Sequence, residues 1–318
     1  MKGKKWISLG FMLILVLTWG SSFILMKKSL DYFPDSNMVA AYRMTIAFAV
    51  LLIPALIHLF KLPFKTFLLL TLSGVMANGI PAFLFTYAQT GIESYVAGIL
   101  NSTTTLFTLI IGVLFFSYKA RWLSVAGVIT GFAGILGLLA FAGGKTLSFN
   151  MGYGVYILIA TTTYAININF IKRWLKHVPT LPMVSLVFFV TGIFSSIYLF
   201  GFTDFIHAVK TTPGAGYGIL YMSILGICGS ALALLLYYHL IKIADVLFVA
   251  SITYLMPVVS TIWGIGDGER LGLAHVLFIL LILVGVFMVN YHDLVEKVRN
   301  RNKKKHELRR IHALRKDN

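Results

Sequence analysis

Arg43 is the charged side chain that this sequence places deepest in an apolar stretch, about seven residues from one end of the run Asn37 to Ile57. A guanidinium surrounded by hydrocarbon costs roughly 2.5 to 3.5 kcal/mol on insertion scales, so it needs a wet cavity, a partner or a route back to the interface. Its planar fork of donors suits a carboxylate, such as that of an amino acid. A phosphorylated or nucleotide-sugar group suits it less, since one positive charge would face two or more negative ones. Asn101 lies at a similar depth in the run Tyr95 to Phe116, and Thr104 or Thr105 and then Thr108 continue a polar stripe from it at helical spacing. Arg43, Asn101 and Thr105 are therefore candidates to line the path of a small ligand. The other reading has Arg43 snorkelling outward and the threonines bonding their own helix carbonyls.

Five further residues stand out. Trp19 and Tyr254 carry large aromatic surfaces within apolar runs, suited to stacking on a ligand or to packing. Asn78 has the same two readings, binding or structural. Pro81 and Pro257 lie near the middles of the third and ninth runs, where each removes a backbone donor and frees a carbonyl, as a hinge or as a fixed kink. Asn167 and Asn169, two positions apart, cannot share a helix face, so at least one is expected to bond a neighbouring helix. Gly127, Gly131 and Gly134 form a small-residue face for close packing within the chain or in a homodimer.

The groups needed for catalysis are missing. Gly264-Ile265-Gly266-Asp267 matches the short G-x-G-D pattern of intramembrane aspartyl proteases, but no apolar run supplies the second aspartate that a shared proton requires. There is no G-x-S-x-G nucleophile elbow and no H-E-x-x-H metal pair. The lone Cys228 excludes an intramolecular disulfide and a multi-cysteine metal site. No enzyme activity, metal or cofactor is expected. Glu93, Asp245, Asp267 and Glu269 all fall at the ends of runs, so no carboxylate stands midway for proton coupling, which favours facilitated diffusion or exchange.

These residues are positioned by ten apolar runs of about 20 residues, the length that crosses a hydrocarbon core of roughly 30 Å. They are Trp6 to Met26, Asn37 to Ile57, Phe67 to Tyr87, Tyr95 to Phe116, Trp122 to Phe141, Gly152 to Ile171, Pro182 to Phe202, Gly214 to Leu240, Val246 to Ile265 and Leu271 to Tyr291. With 58% hydrophobic and 12% charged residues and a mean hydropathy of +0.86, the chain lacks the polar surface of a soluble domain. The expected fold is an all-α polytopic membrane bundle of ten transmembrane helices. Most Lys and Arg fall on the N-terminal side of alternate connections, while Lys27, Lys28, Lys145, Lys210 and Arg270 fall on the other side. Retention of basic residues on the cytoplasmic side then predicts a multi-pass cell-membrane protein with both termini in the cytoplasm. The net charge of +16 resides mostly in the tail and loops, which argues against nucleic acid as a partner. From Lys297 to Lys316, basic residues surround Leu308, Ile311 and Leu314, a pattern for contact with anionic lipid or for a solvated tail that enforces topology.

A shift of 152 residues sets Gly74 on Gly226, Leu84 on Leu236, Gly112 on Gly264 and Glu93 on Asp245, and a shift of 145 sets Lys27 on Lys172. Five runs thus repeat, as residues 1 to 143 and 150 to 292, followed by a basic tail at 293 to 318. An odd number of crossings per unit inverts the second copy, giving two five-helix inverted repeats.

Over almost its whole length the chain resembles the EamA branch of the drug/metabolite transporter superfamily. The resemblance rests on the segments Leu17 to Leu30 (LTWGSSFILMKKSL), Val39 to Pro54 (VAAYRMTIAFAVLLIP), Asn78 to Ser102 and Tyr254 to Leu271 (YLMPVVSTIWGIGDGERL). It implies a ten-span carrier of amino acids or other small metabolites, often directed outward, working by alternating access. By position, the family's first-span Trp-Gly falls on Trp19-Gly20, its second-span Arg on Arg43, its ninth-span Pro on Pro257 and the following Gly-Glu on Gly268-Glu269. The first half departs from the pattern: Thr105 stands for the fourth-span Pro, and Ser117 or Tyr118 for the Glu after it. The competing class is a non-transporting membrane sensor or lipid-handling scaffold, which has no need of an Arg at this depth.

Overall fold

The computed structural model describes residues 2–117, 122–141, 150–243, 246–269, 272–289 and 291, and among these all regular structure is helical. The basic tail lies outside the described residues. Seven helices are long and apolar enough to cross a membrane: α1 (Ile7–Tyr32), α2 (Ser36–Leu59), α3 (Phe64–Ala88), α4 (Ser94–Phe116), α6 (Gly152–Leu175), α7 (Thr180–Phe202) and α8 (Ala215–Leu240). Three helices with shorter apolar stretches complete the series: α5 (Trp122–Phe141), α9 (Val246–Gly266) and α10 (Leu273–Val289). Ile53, Phe60, Phe115, Phe194 and Phe202 project apolar surface outward, as helices bathed in hydrocarbon do.

Local chemistry explains several helix ends. The Asp35 carboxylate accepts from the N–H groups of Asn37 and Met38 at 2.9 and 3.4 Å, which starts α2 and sets Arg43 two turns inside it. In α4 the hydroxyl-rich run after Asn101 turns back on the chain: Ser102 Oγ donates to the Ile99 carbonyl and Thr103 Oγ1 to that of Leu100, both at 2.6 Å. The helix therefore stops at Asn101 and restarts at Thr104.

A π-helical turn, Ile171–Leu175, ends α6, and α3 and α8 each contain one in mid-helix, Val75–Gly79 and Ile227–Leu232. The mid-helix two begin 152 residues apart, the same shift that aligns the sequence halves. In α3 the turn ends two residues before Pro81, which lacks the N–H that an α-helical ladder would need there.

The principal neighbours also exchange consistently between halves. α1 packs on α8 and α9, as α6 packs on α3 and α4; α3 packs on α7, as α8 packs on α2; α2 packs on α7 and α4 on α9. Replacing each helix by the one five places away leaves this set unchanged.

Because lipid competes equally for apolar side chains, close approach of backbones supplies much of the cohesion. A Cβ on Gly226 would meet the Arg43 carbonyl oxygen at 2.8 Å, so the glycine lets α8 touch α2 beside that arginine. Gly20 brings α1 against Val259 and the Met256 carbonyl of α9. The small face of α5 is covered within the chain: a Cβ on Gly285 of α10 would stand 2.5 Å from the Gly127 carbonyl and from the Gly131 N–H nitrogen. The same face is thus not free to mediate a homodimer. Gly285→Leu should lower the thermal midpoint in detergent through overpacking of about 1 to 3 kcal/mol, with Gly285→Ala intermediate. Gly201→Ala, where nothing lies within 4 Å, should be nearly silent in the same assay.

Candidate functional site

Arg43 projects from α2 toward the π turn of α8. Its Nε donates to Ser230 Oγ at 2.8 Å, and that hydroxyl donates in turn to the Leu225 carbonyl at 3.3 Å. The guanidinium is half-buried, its electrostatic neighbour is Tyr164 of α6, and no carboxylate pairs with it among the described residues. A cation held inside the bundle without a protein anion is an unfinished ion pair. One Coulombic partner of opposite sign is what the site lacks chemically.

Around it stand aromatic groups from four helices. Phe85 of α3 stacks on Tyr164 with ring centroids 6.0 Å apart and also meets Phe23 of α1 at 6.0 Å. Trp19 lies 5.1 Å from Tyr237 of α8, and its Nε1 donates to the Gly229 carbonyl at 3.0 Å. That carbonyl belongs to the π turn, where the slipped ladder leaves backbone acceptors free. Trp19 is consequently a strut between α1 and α8 as well as an aromatic surface.

Asn78 occupies the π turn of α3, at the position that a shift of 152 places on Ser230. Its Nδ2 is buried without a hydrogen-bond partner. Asn101 is half-buried at the break in α4, and its carbonyl accepts from Thr104 Oγ1 at 2.8 Å. Thr108 Oγ1 donates to the Thr104 carbonyl at 2.7 Å, so this part of the stripe bonds its own helix rather than presenting free hydroxyls. Thr105 is half-buried. Pro257 lies inside α9, which runs unbroken from Val246 to Gly266. The interruption occurs in α4, the half that has Thr105 in place of proline. The Tyr254 side chain lies outside the described residues. Both asparagines of α6 join helices: Ser73 Oγ of α3 donates to Asn167 Oδ1 at 2.7 Å, and Asn169 Nδ2 donates to the Thr108 carbonyl of α4 at 3.1 Å.

A second polar cluster, at the end of the bundle where α1 finishes, was not among the sequence candidates. Lys27 Nζ contacts Glu269 Oε1 at 2.7 Å and Glu93 Oε2 at 2.9 Å, and Lys28 Nζ contacts Asp267 Oδ1 at 2.5 Å. Glu269 also accepts from the N–H groups of Ser94 and Tyr95, at 2.8 and 3.2 Å. It thereby caps the first turn of α4 from the loop after α9, where the helix dipole favours an anion. The loop is shaped for this by Gly268 at φ 85° and by bonds from the Gly268 and Glu269 N–H groups to the Ile265 and Gly264 carbonyls. A signal existed in the sequence: two adjacent lysines at a run end opposite three acids at other run ends.

Fold and composition define a multi-pass helical membrane protein, with a half-buried cation inside the bundle and ion pairs closing one end. The chain belongs to the EamA-like transporter family, whose model matches residues 6–140 and 152–291. It is 27% identical over 283 residues to the uncharacterized inner membrane transporter YedA of Escherichia coli, covering 88% of this chain and 89% of the relative. Identity is also 27% with the uncharacterized transporter YvbV of Bacillus subtilis, over 89% of this chain and 91% of the other. A protein of Salmonella typhimurium named "Probable amino-acid metabolite efflux pump" is 26% identical over 56% of this chain and 58% of its own. A crystal structure of another protein shares the fold at a TM-score of 0.61, with 20% identity, 89% of this chain and 96% of that chain covered.

Burial pushes the Glu269 carboxyl up, but the Lys27 ammonium and the N–H donors of Ser94 and Tyr95 outweigh it and hold the group below its ordinary value of 4.5. A depressed value stabilises the fold above the unfolded pKa, and that contribution disappears as pH falls through the folded value. Thermal stability attributable to this group should be level from neutral pH down to about 5 and decline only in stronger acid. Glu269→Gln should remove that acid-sensitive component and cost about 2 kcal/mol at neutral pH, read as a lower melting midpoint in detergent.

Proposed function

We propose that the protein is a carrier for small metabolites, amino acids or related monocarboxylates in particular, which it moves outward by alternating access. The observation that supports this best is Arg43, half-buried in α2, bonded through Nε to Ser230 and without a carboxylate partner among the described residues. A substrate carboxylate completes the pair. Asn78, with its unpartnered Nδ2, and Asn101 and Thr105 at the broken helix supply neutral polar contacts. Trp19 and Tyr254 contribute aromatic surface.

Movement is assigned to two inverted five-span halves, ten spans in all. The matching π turns and the exchangeable set of helix neighbours favour that arrangement. Pro81, beside a π turn, and Pro257, within α9, serve as hinges. The distribution of Lys and Arg favours both termini in the cytoplasm of a cell that carries the protein in its plasma membrane, with the Lys27–Glu269 end outside and the basic tail against anionic lipid. The name of the Salmonella relative agrees with an amino-acid-like cargo and with export.

Purified protein in liposomes loaded with labelled amino acids and related monocarboxylates should release a subset of them faster than empty liposomes do. Arg43→Ala should lower that flux at least tenfold, the scale of a lost charge-assisted hydrogen bond, while Arg43→Lys keeps the charge and loses the fork. Equal flux from wild type and Arg43→Ala would make the arginine structural and defeat the assignment.

A further inference from the structure

We propose that the two ends of the bundle are unequally latched, so that the unloaded protein rests closed at the Lys27–Glu269 end. The inference builds on alternating access between the two halves. Its starting point is the repeat. The latch consists of a lysine ending α1 (Lys27), an acid preceding α4 (Glu93) and a carboxylate following α9 (Glu269), which reaches both the lysine and the first N–H groups of α4. The shifts that align the halves give the counterparts at the other end. Lys27 falls on Lys172 at the end of α6, and Glu93 on Asp245 before α9. Glu269 falls on Ser117 after α4.

That last correspondence also holds for one backbone bond, although the left-handed residue is Gly268 in one loop and Ser117 itself in the other. The Glu269 N–H bonds the Gly264 carbonyl, and the Ser117 N–H bonds the carbonyl of Gly112, the glycine that the same shift of 152 places on Gly264. The opposite end thus retains a cation and an acid in sequence, but a hydroxyl occupies the position of the central carboxylate. Ser117 is exposed and left-handed at φ 57°. Without a carboxylate it brings no charge to a lysine and no anion to a helix N-terminus.

The side chain of Glu269 is 1% exposed and ties three helices, α1, α4 and α9, at one level. Hydrogen bonds to a buried charge are the strong ones, and among the described residues such a carboxylate stands at the Glu269 end, while the position that the repeat assigns to it at the other end is Ser117. Closure is therefore favoured at the Glu269 end, and the opposite end is the one that opens more readily. For a carrier loaded from that opposite side, this bias sets the direction from which the empty protein accepts cargo.

Labelling of two single cysteines by a membrane-impermeant maleimide, one applied from each side of the membrane, tests this in a Cys228→Ala background. Ser260→Cys reports the latched end: Ser260 is fully buried in α9 and touches Gly98 of α4. Thr108→Cys, at its counterpart by the shift of 152, reports the other end. Ser260→Cys should react slowly in the otherwise native chain and roughly tenfold faster after Glu269→Gln. Ser117→Glu, or Tyr118→Glu one residue on, should equip the second end, speeding Ser260→Cys and slowing Thr108→Cys, whereas Ser117→Gln should do neither. If Glu269→Gln acts but neither new glutamate does, the unequal latch is wrong and alternating access stands. If the glutamates act but Glu269→Gln does not, Glu269 is not the latch and the proposal also falls. If the two cysteines never change in opposite directions in any variant, the latch and the carrier assignment fail together.

Discussion

Glu269 is a carboxylate with three polar partners drawn from two other parts of the chain. Lys27 comes from the end of the first helix, the Ser94 and Tyr95 N–H groups from the start of the fourth, and its own loop is pinned back on α9. A buried charge is tolerated only when such donors replace water around it. The positions of α1, α4 and α9 at that level are therefore not independent: moving any one of them strands either the carboxylate or the lysine. Gly264 belongs to the same arrangement, since a Cβ there would collide with the Glu269 carboxylate and crowd Tyr95.

Away from that end, hydrocarbon provides no comparable constraint, and helices are held by shape. Glycines at 20, 127, 226 and 285 allow backbones to touch, and asparagines 167 and 169 and Ser73 tie α6 to its neighbours through hydrogen bonds. Arg43 sits inside this scaffold beside the point where Gly226 lets α8 reach α2. Its environment is preformed by packing on one side and by the Ser230 hydroxyl on the other, which leaves the charge oriented and without a carboxylate partner among the described residues.

Much of this was legible in the chain. Long apolar runs give helices because lipid leaves backbone polar groups no other partner, and the run ends agree with the helix ends to within a few residues except for α1, which continues through Lys27 and Lys28 to Tyr32. The depth of Arg43 followed from the same counting. What sequence could not convey was which run ends meet. Lys27 and Glu269 are 242 residues apart, and their pairing depends on α1 and α9 lying side by side, a fact of packing and not of spacing. The break in α4 was missed for a different reason. A polar stripe at helical spacing looks continuous on paper, but adjacent Ser and Thr hydroxyls compete for the carbonyls that would carry the helix onward. Trp19 was recognised as a candidate aromatic, yet its N–H is committed to a carbonyl that only the π turn of α8 makes available.

Each π turn adds one residue to a turn of helix, so the part beyond it is out of phase with the part before it by about one residue's rotation, roughly 100°. In α3 this lets Leu70, Ser73 and Gly74 be buried on one side of the joint and Pro81, Ala82, Phe85 and Thr86 on the other, each set meeting its own neighbours. Deleting a single residue at either joint would restore a regular ladder and yet turn half of a helix's buried face toward lipid. The two π turns therefore work as fixed angular offsets, and the length of α3 and α8 is constrained to the residue even where the side chains themselves are only hydrocarbon.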